Sequence, residues 1–187
     1  SSPFVKTVEL YVTGTVDFAS DVIVNIQTNS GTAWNPLSAS GGAGLSGLGT
    51  VTDSFVYLVR DISLMQAEFP SSTFDNSNSV VVTASTNGDD RYQVLLNNVV
   101  VDQFGIDSED GTGTAWEHVD AFAERKTGTT ETGSFIIDDW TISANNFLDD
   151  YGICGKASGV TGALLETVIT LGNWSAVLST KAFSKEP

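Results

Sequence analysis

Five carboxylates gather in one stretch of the chain: Asp89 and Asp90, then Asp107, Glu109 and Asp110. Ca²⁺ takes roughly 6–8 oxygen ligands from carboxylates, carbonyls and waters, in loops where a glycine permits a sharp turn. Asp107-Ser108-Glu109-Asp110-Gly111 offers that chemistry, and Asn87 adds a side-chain oxygen. The spacing is not that of an EF-hand, whose terminal Glu has no counterpart here. Several carboxylates within one Debye length, about 8 Å at physiological salt, destabilise one another. A weak extracellular site with a dissociation constant of about 10⁻⁴ M in about 1 mM Ca²⁺ returns roughly 1.4 kcal/mol by mass action. Bound calcium at Asn87, Asp89, Asp90, Asp107, Glu109 and Asp110 is therefore one expectation. The other is that Asp-Gly and Asn-Gly form turns whose carboxylates face water.

Other reactive types are sparse. His118 is the single histidine, and a Ser-His-Asp hydrolase would have to use it, yet no G-x-S-x-G elbow exists. Glu117 and Asp120 form a carboxylate pair of the kind glycosidases use, but an acid-rich chain offers many such pairs. Asp138-Asp139 and Asp149-Asp150 lie near turns, and read as turn punctuation or as a second cation site. Cys154 is the only cysteine, without the Cys and His neighbours that zinc requires, and reads as a small buried residue or an intermolecular bridge. Trp116 and Trp140 are assigned to the core, while Trp34, in a Gly/Ser loop, is the tryptophan expected to meet a glycan or other ligand. Asn173-Trp174-Ser175 is a glycosylation sequon in a eukaryotic setting. No catalytic residue is assigned.

Composition narrows the partners. Eight Lys and Arg stand against 23 Asp and Glu, a formal net charge of -15. Nucleic-acid binding rests on Lys/Arg neutralising phosphates, and anionic membranes attract basic segments, so both partners are disfavoured. No run of 18 apolar residues appears. Acidity with few lysines and abundant Thr, Ser, Gly and Asn points to export, and the Ser-Ser-Pro-Phe start suggests a processed or excised N-terminus.

The elements that position these groups are strands. Val8, Leu10 and Val12 alternate with polar neighbours, as a half-buried strand requires. Val22 to Ile26 and Phe55 to Val59 are further strands, separated by a Gly/Ser-rich surface loop over 28–53 with a short strand near Thr32 to Trp34. Ser63 with Gln66 makes a capping-box pattern for one helix ending near Phe69-Pro70. Val80 to Thr83 resumes the strand pattern. Tyr92 to Leu96, Asn97-Asn98 and Val99 to Phe104 form a hairpin, because Asn tolerates the positive φ that tight hairpin turns demand. Ala121 to Arg125, Phe135 to Ile137, Trp140 to Ile142, Leu164 to Leu171 and Ser175 to Phe183 complete the strands. Many short strands between turn residues predict one all-β, antiparallel sandwich domain over 1–187 with one short helix.

The string Asn87-Gly88-Asp89-Asp90-Arg91-Tyr92-Gln93-Val94-Leu95, followed by Asn98-Val99-Val100-Val101-Asp102-Gln103-Phe104-Gly105, resembles the lamin-tail-type domain of secreted bacterial proteins. Asp110-Gly111-Thr112-Gly113-Thr114-Ala115-Trp116-Glu117 and the closing Phe135 to Thr141 are similar to later strings of that group, in the same order, and Val8-Glu9-Leu10-Tyr11 to its opening strand. The resemblance covers about residues 4–147 and implies an immunoglobulin-like sandwich. Such domains often accompany extracellular nucleases, phosphatases and adhesins without chemistry of their own. The chain departs from the pattern in a strand-prone extension over 148–187, which either completes its own sheets or pairs with another copy. The expectation is a non-catalytic extracellular structural or adhesive module, calcium-stabilised and self-assembling. The alternative is an accessory glycan- or substrate-recognition domain of a secreted hydrolase.

Overall fold

β1 (Thr7–Asp17) and β4 (Thr50–Val59) pair antiparallel, with Val8 opposite Leu58 and Leu10 opposite Val56. The computed structural model describes residues 5–38, 44–82, 86–152 and 162–175. The β1–β4 register slips between Val12 and Thr15, where Gly14 takes a φ of 74° and donates its N–H to Asp53 Oδ1 at 2.6 Å. A bulge of this kind strengthens the local twist. β5 (Ser79–Val81) runs parallel to β4 and completes a three-stranded sheet in the order β1-β4-β5.

The second sheet joins β2 (Val22–Gln27), β3 (Asn35–Pro36), β6 (Arg91–Leu96) and β7 (Val99–Phe104) in the order β3-β2-β6-β7, antiparallel throughout. Its β6–β7 turn is the expected Asn97-Asn98, with φ of 50° and 63°. A two-stranded ribbon pairs β8 (Ala123–Arg125) with β9 (Trp140–Ile142). The protein is thus an all-β sandwich with a single α-helix among the described residues.

Strand alternation sends Val12, Val56 and Leu58 from the first sheet against Val24 and Ile26 from the second. Each buried aliphatic side chain of this size is worth roughly 1.5–3 kcal/mol. The 28–53 segment is less of a surface loop than its composition implies: Leu37, Leu45 and Leu48 are buried in this core, and the short strand falls at 35–36 instead of 32–34.

α1 (Ile62–Glu68) lies on the outer face of the first sheet, where Met65, Phe69 and Phe74 pack against Tyr57 and Val59. Its cap is Asp61, not Ser63: the Asp61 carboxylate accepts the N–H groups of Ser63 (2.8 Å) and Leu64 (3.1 Å). Asp61 is extended, as an N-cap must be. The helix also explains the parallel pairing of β4 with β5, since two strands run the same way only through a crossover, and α1 sits within it.

Two expected strands are not strands. Phe135 anchors a ring cluster instead, and Ile137–Asp139 is a 3₁₀ turn. Within 164–171, Leu165–Thr167 is a 3₁₀ turn whose Leu165 is buried beside Phe69 and Phe74, and Ile169 and Leu171 join the same cluster. The 162–175 segment covers its own sheet by side-chain packing, not by strand pairing; Gly172 N–H bonds Glu9 Oε2 at 2.7 Å. Cys154, Thr83 and the strand proposed for Ser175 to Phe183 beyond Ser175 lie outside the described residues.

Candidate functional site

Alternation along β6 sends Tyr92 and Val94 to the inter-sheet core and Arg91 to the opposite face. That face is roofed by the loop after β7. Gly105 and Gly111 set the roof height: a Cβ on Gly105 would stand 2.5 Å from Arg91 Cγ, and one on Gly111 2.5 Å from Trp116 Cζ3. Arg91 is 0 % and Trp116 2 % exposed. Asn87-Gly88 enters from the other side, with Gly88 at φ 99° against the His118 backbone, whose N–H it accepts at 2.8 Å.

The expected acidic residues meet here. Asp90, 1 % exposed, accepts Asn29 N–H on Oδ1 (3.1 Å) and Asn87 N–H on Oδ2 (3.0 Å), which ties the β2–β3 connection to the loop before β6. Asp89, 5 % exposed, accepts Asn87 Nδ2 on Oδ2 at 3.2 Å, and its carbonyl accepts Gly111 N–H at 3.1 Å. The Thr112 hydroxyl lies 2.7 Å from Asp110 Oδ1 and 3.2 Å from Asp89 Oδ2; its one proton serves the shorter contact. Asp107 accepts Gln27 Nε2 at 3.1 Å while Gln27 Oε1 accepts Ser108 N–H at 2.8 Å. Glu109 is exposed and stands apart from this network, its N–H bonded to the Ile106 carbonyl.

In the field of four of these carboxylates lies Arg91. Its Nη2 donates to the carbonyls of Asn29 (2.6 Å) and Gly31 (3.1 Å). Burial lowers its pKa, and the fields of Asp110, Asp90, Asp107 and Asp89 oppose that loss of charge. Burial raises Asp90 above the usual carboxylate range against its two backbone donors, whereas the Thr112 N–H and hydroxyl hold Asp110 below it. Among the described residues, no three carboxylate, imidazole or thiol groups are placed to hold a metal ion. Arg91 lies in the field of four of the six expected ligands, and among the described residues it forms no ion pair with any of them. Asp89 Oδ1, Arg91 Nε and Nη1, and Trp116 Nε1 are buried at this pole without a hydrogen-bond partner among the described residues.

The remaining candidates are structural in their contacts. His118 is not in a strand; its Nδ1 lies 3.2 Å from the Trp116 carbonyl, its ring meets Phe104 edge-on, and burial lowers its pKa. Glu117 Oε2 accepts Asn145 Nδ2 at 2.7 Å and Gly113 N–H at 3.1 Å. Phe104 is the hub of a ring cluster with Trp116, Phe135 and Trp140. Arg125 pairs with Asp102, covers the Trp140 ring at 4.5 Å, and reaches Asp139 at 3.9 Å. Asp138 contributes its carbonyl to Lys126 Nζ, and Asp149 and Asp150 are exposed. Trp34 is half-buried beside β3, and Asn173 is exposed.

A second feature has no counterpart in the sequence reading. A cleft of about 1110 Å³ is lined by β1, β6, β7, the 118–125 segment and parts of 148–174, together with Asn87, Gly88 and Asp90 of the acidic pole. Val8, Leu10 and Val94 point inward yet are only partly buried. Arg91 and Gln27 were also missed, and the one available signal was an Arg locked between an Asp pair and a strand in a chain poor in cations. No protein-family model, curated protein or solved structure matches the chain.

Proposed function

We propose that this chain is a non-catalytic extracellular module with a structural or adhesive role, an immunoglobulin-like sandwich of the lamin-tail kind. The observation that carries the reading is the internal use of its chemistry-bearing groups. Asp89, Asp90, Asp107 and Asp110 staple three loops around Arg91, and His118 and Glu117 bond backbone and an amide. Each is spent on holding the sandwich end, the requirement of a module that bears load or presents a surface. The composition that favours export supports the location.

Calcium binding is the second reading, favoured by Asp89 Oδ1, a buried carboxylate oxygen with no hydrogen-bond partner among the described residues. Arg91 already supplies positive charge there, so calcium would have to compete with it.

The test is a turnover screen with phosphodiester, phosphomonoester and glycoside substrates on the protein and on His118→Gln. Neither is expected to exceed the blank. Turnover present in the first and lost in the second would overturn the proposal. Light scattering with and without millimolar Ca²⁺ examines self-assembly; a monomer in both conditions removes the self-assembling form of the reading.

A further inference from the structure

An edge strand presents unpaired N–H and C=O groups that a second chain can use. β1 pairs with β4 on one side, and among the described residues no strand pairs with its other side. Consecutive residues of β1 line the cleft, the inward Val8 and Leu10 together with Thr7, Glu9 and Tyr11, which alternate with them. A cleft that touches both faces of a strand meets it at its edge. The slot along residues 5–13 is roughly 30 Å long at about 3.3 Å per residue.

Charge decides what fits. Glu9, Asp90, Asp102, Asp120, Glu124, Glu131 and Asp149 line the cleft. Against them stand Lys6, held in the field of Asp90 and Asp120, and Arg125, already paired with Asp102. The walls between are apolar, with Val8, Leu10 and Val94 incompletely covered.

We propose that this cleft takes an extended peptide segment of a partner protein, alternating basic and apolar residues, as a strand added to the free edge of β1. Main-chain hydrogen bonds to β1 supply affinity, the apolar side chains cover Val8 and Leu10, and the basic ones answer the rim carboxylates. The inference rests on the adhesive form of the proposed function, and specifies its partner.

The test titrates the full chain with a synthetic peptide of about nine residues alternating lysine and valine. Its controls are a glutamate–valine counterpart and the lysine peptide N-methylated at alternate residues. Hydrogen exchange is followed over residues 5–13. The lysine peptide is expected to bind at least about tenfold more tightly than either control, a difference of about 1.4 kcal/mol, and to slow exchange along β1. Asp149→Lys with Glu131→Lys, both at exposed positions on the cleft, is expected to weaken binding about tenfold with unchanged melting temperature. Equal binding of the lysine and glutamate peptides, binding that leaves β1 exchange unchanged, or no binding overturns the proposal. So does slow β1 exchange before any peptide is added, which would mean the edge is already occupied. None of these results produces turnover, so the slot can fail while the non-catalytic reading stands.

Discussion

Glu9 shows how burial of single charges shapes this protein. It sits between the first sheet and the 162–175 segment, bonded to Gly172 N–H and the Tyr57 hydroxyl, and burial raises its pKa above 4.5. Tyr57 is pushed up to about 12 by the same burial and by Glu9. Below the ordinary carboxylate value both folded and unfolded Glu9 are protonated, and its stabilising contribution is fully present. As pH rises through the elevated folded value, the folded state must hold a charge that burial resists, and that contribution is lost. Glu9→Gln is therefore expected to gain stability relative to the parent on moving from pH 4.5 to 7.5, read from thermal unfolding at both. An equal difference at the two pH values would contradict it. The acidic residues were legible in the sequence as a cluster, and four of the five carboxylates do act on one cation, Arg91, through their fields. Their central partner was not legible, because nothing in a one-dimensional string says that alternation along β6 turns Arg91 under Gly105.

At the scale of elements, the parts set by short-range chemistry were readable. The Asn97-Asn98 turn, β2, β7 and β9 appear where their apolar runs and turn residues place them, whereas β1 continues past Thr13 to Asp17 and β4 begins at Thr50, five residues before the apolar run that marks it. Ser63 and Asp61 show the limit: both are cap residues two positions apart, and the helix starts after the one whose backbone is extended. Asp61→Ala is expected to cost about 1 kcal/mol in urea unfolding, while Ser63→Ala changes stability by less than half of that; the reverse order would restore Ser63 as the cap. The 164–171 segment failed for another reason. An apolar run does not reveal whether it pairs by backbone or only fills a gap, and here the outer face of the first sheet, already topped by α1, offers Leu165 a hole beside Phe69 and Phe74.

Across the whole molecule, a net charge of -15 must coexist with an acidic pole whose Asp89 and Asp90 are buried. Arg91 resolves that conflict within the chain by placing a fixed cation among Asp89, Asp90, Asp107 and Asp110. Removing Arg91 leaves the buried Asp89 and Asp90 without its compensating field, and the Asn29 and Gly31 carbonyls without their donor, at a cost of about 3–5 kcal/mol. The same acidity continues along the cleft beside β1, so one charge distribution serves both stability at the pole and selection of a basic partner at the edge. The most direct measurement is thermal and urea unfolding of the protein and of Arg91→Met, each in 2 mM CaCl₂ and in NaCl of matched ionic strength. We expect Arg91→Met to lose about 3–5 kcal/mol and the parent to melt at the same temperature in both salts. An Arg91→Met variant as stable as the parent, in a protein that calcium alone stabilises, would contradict the account.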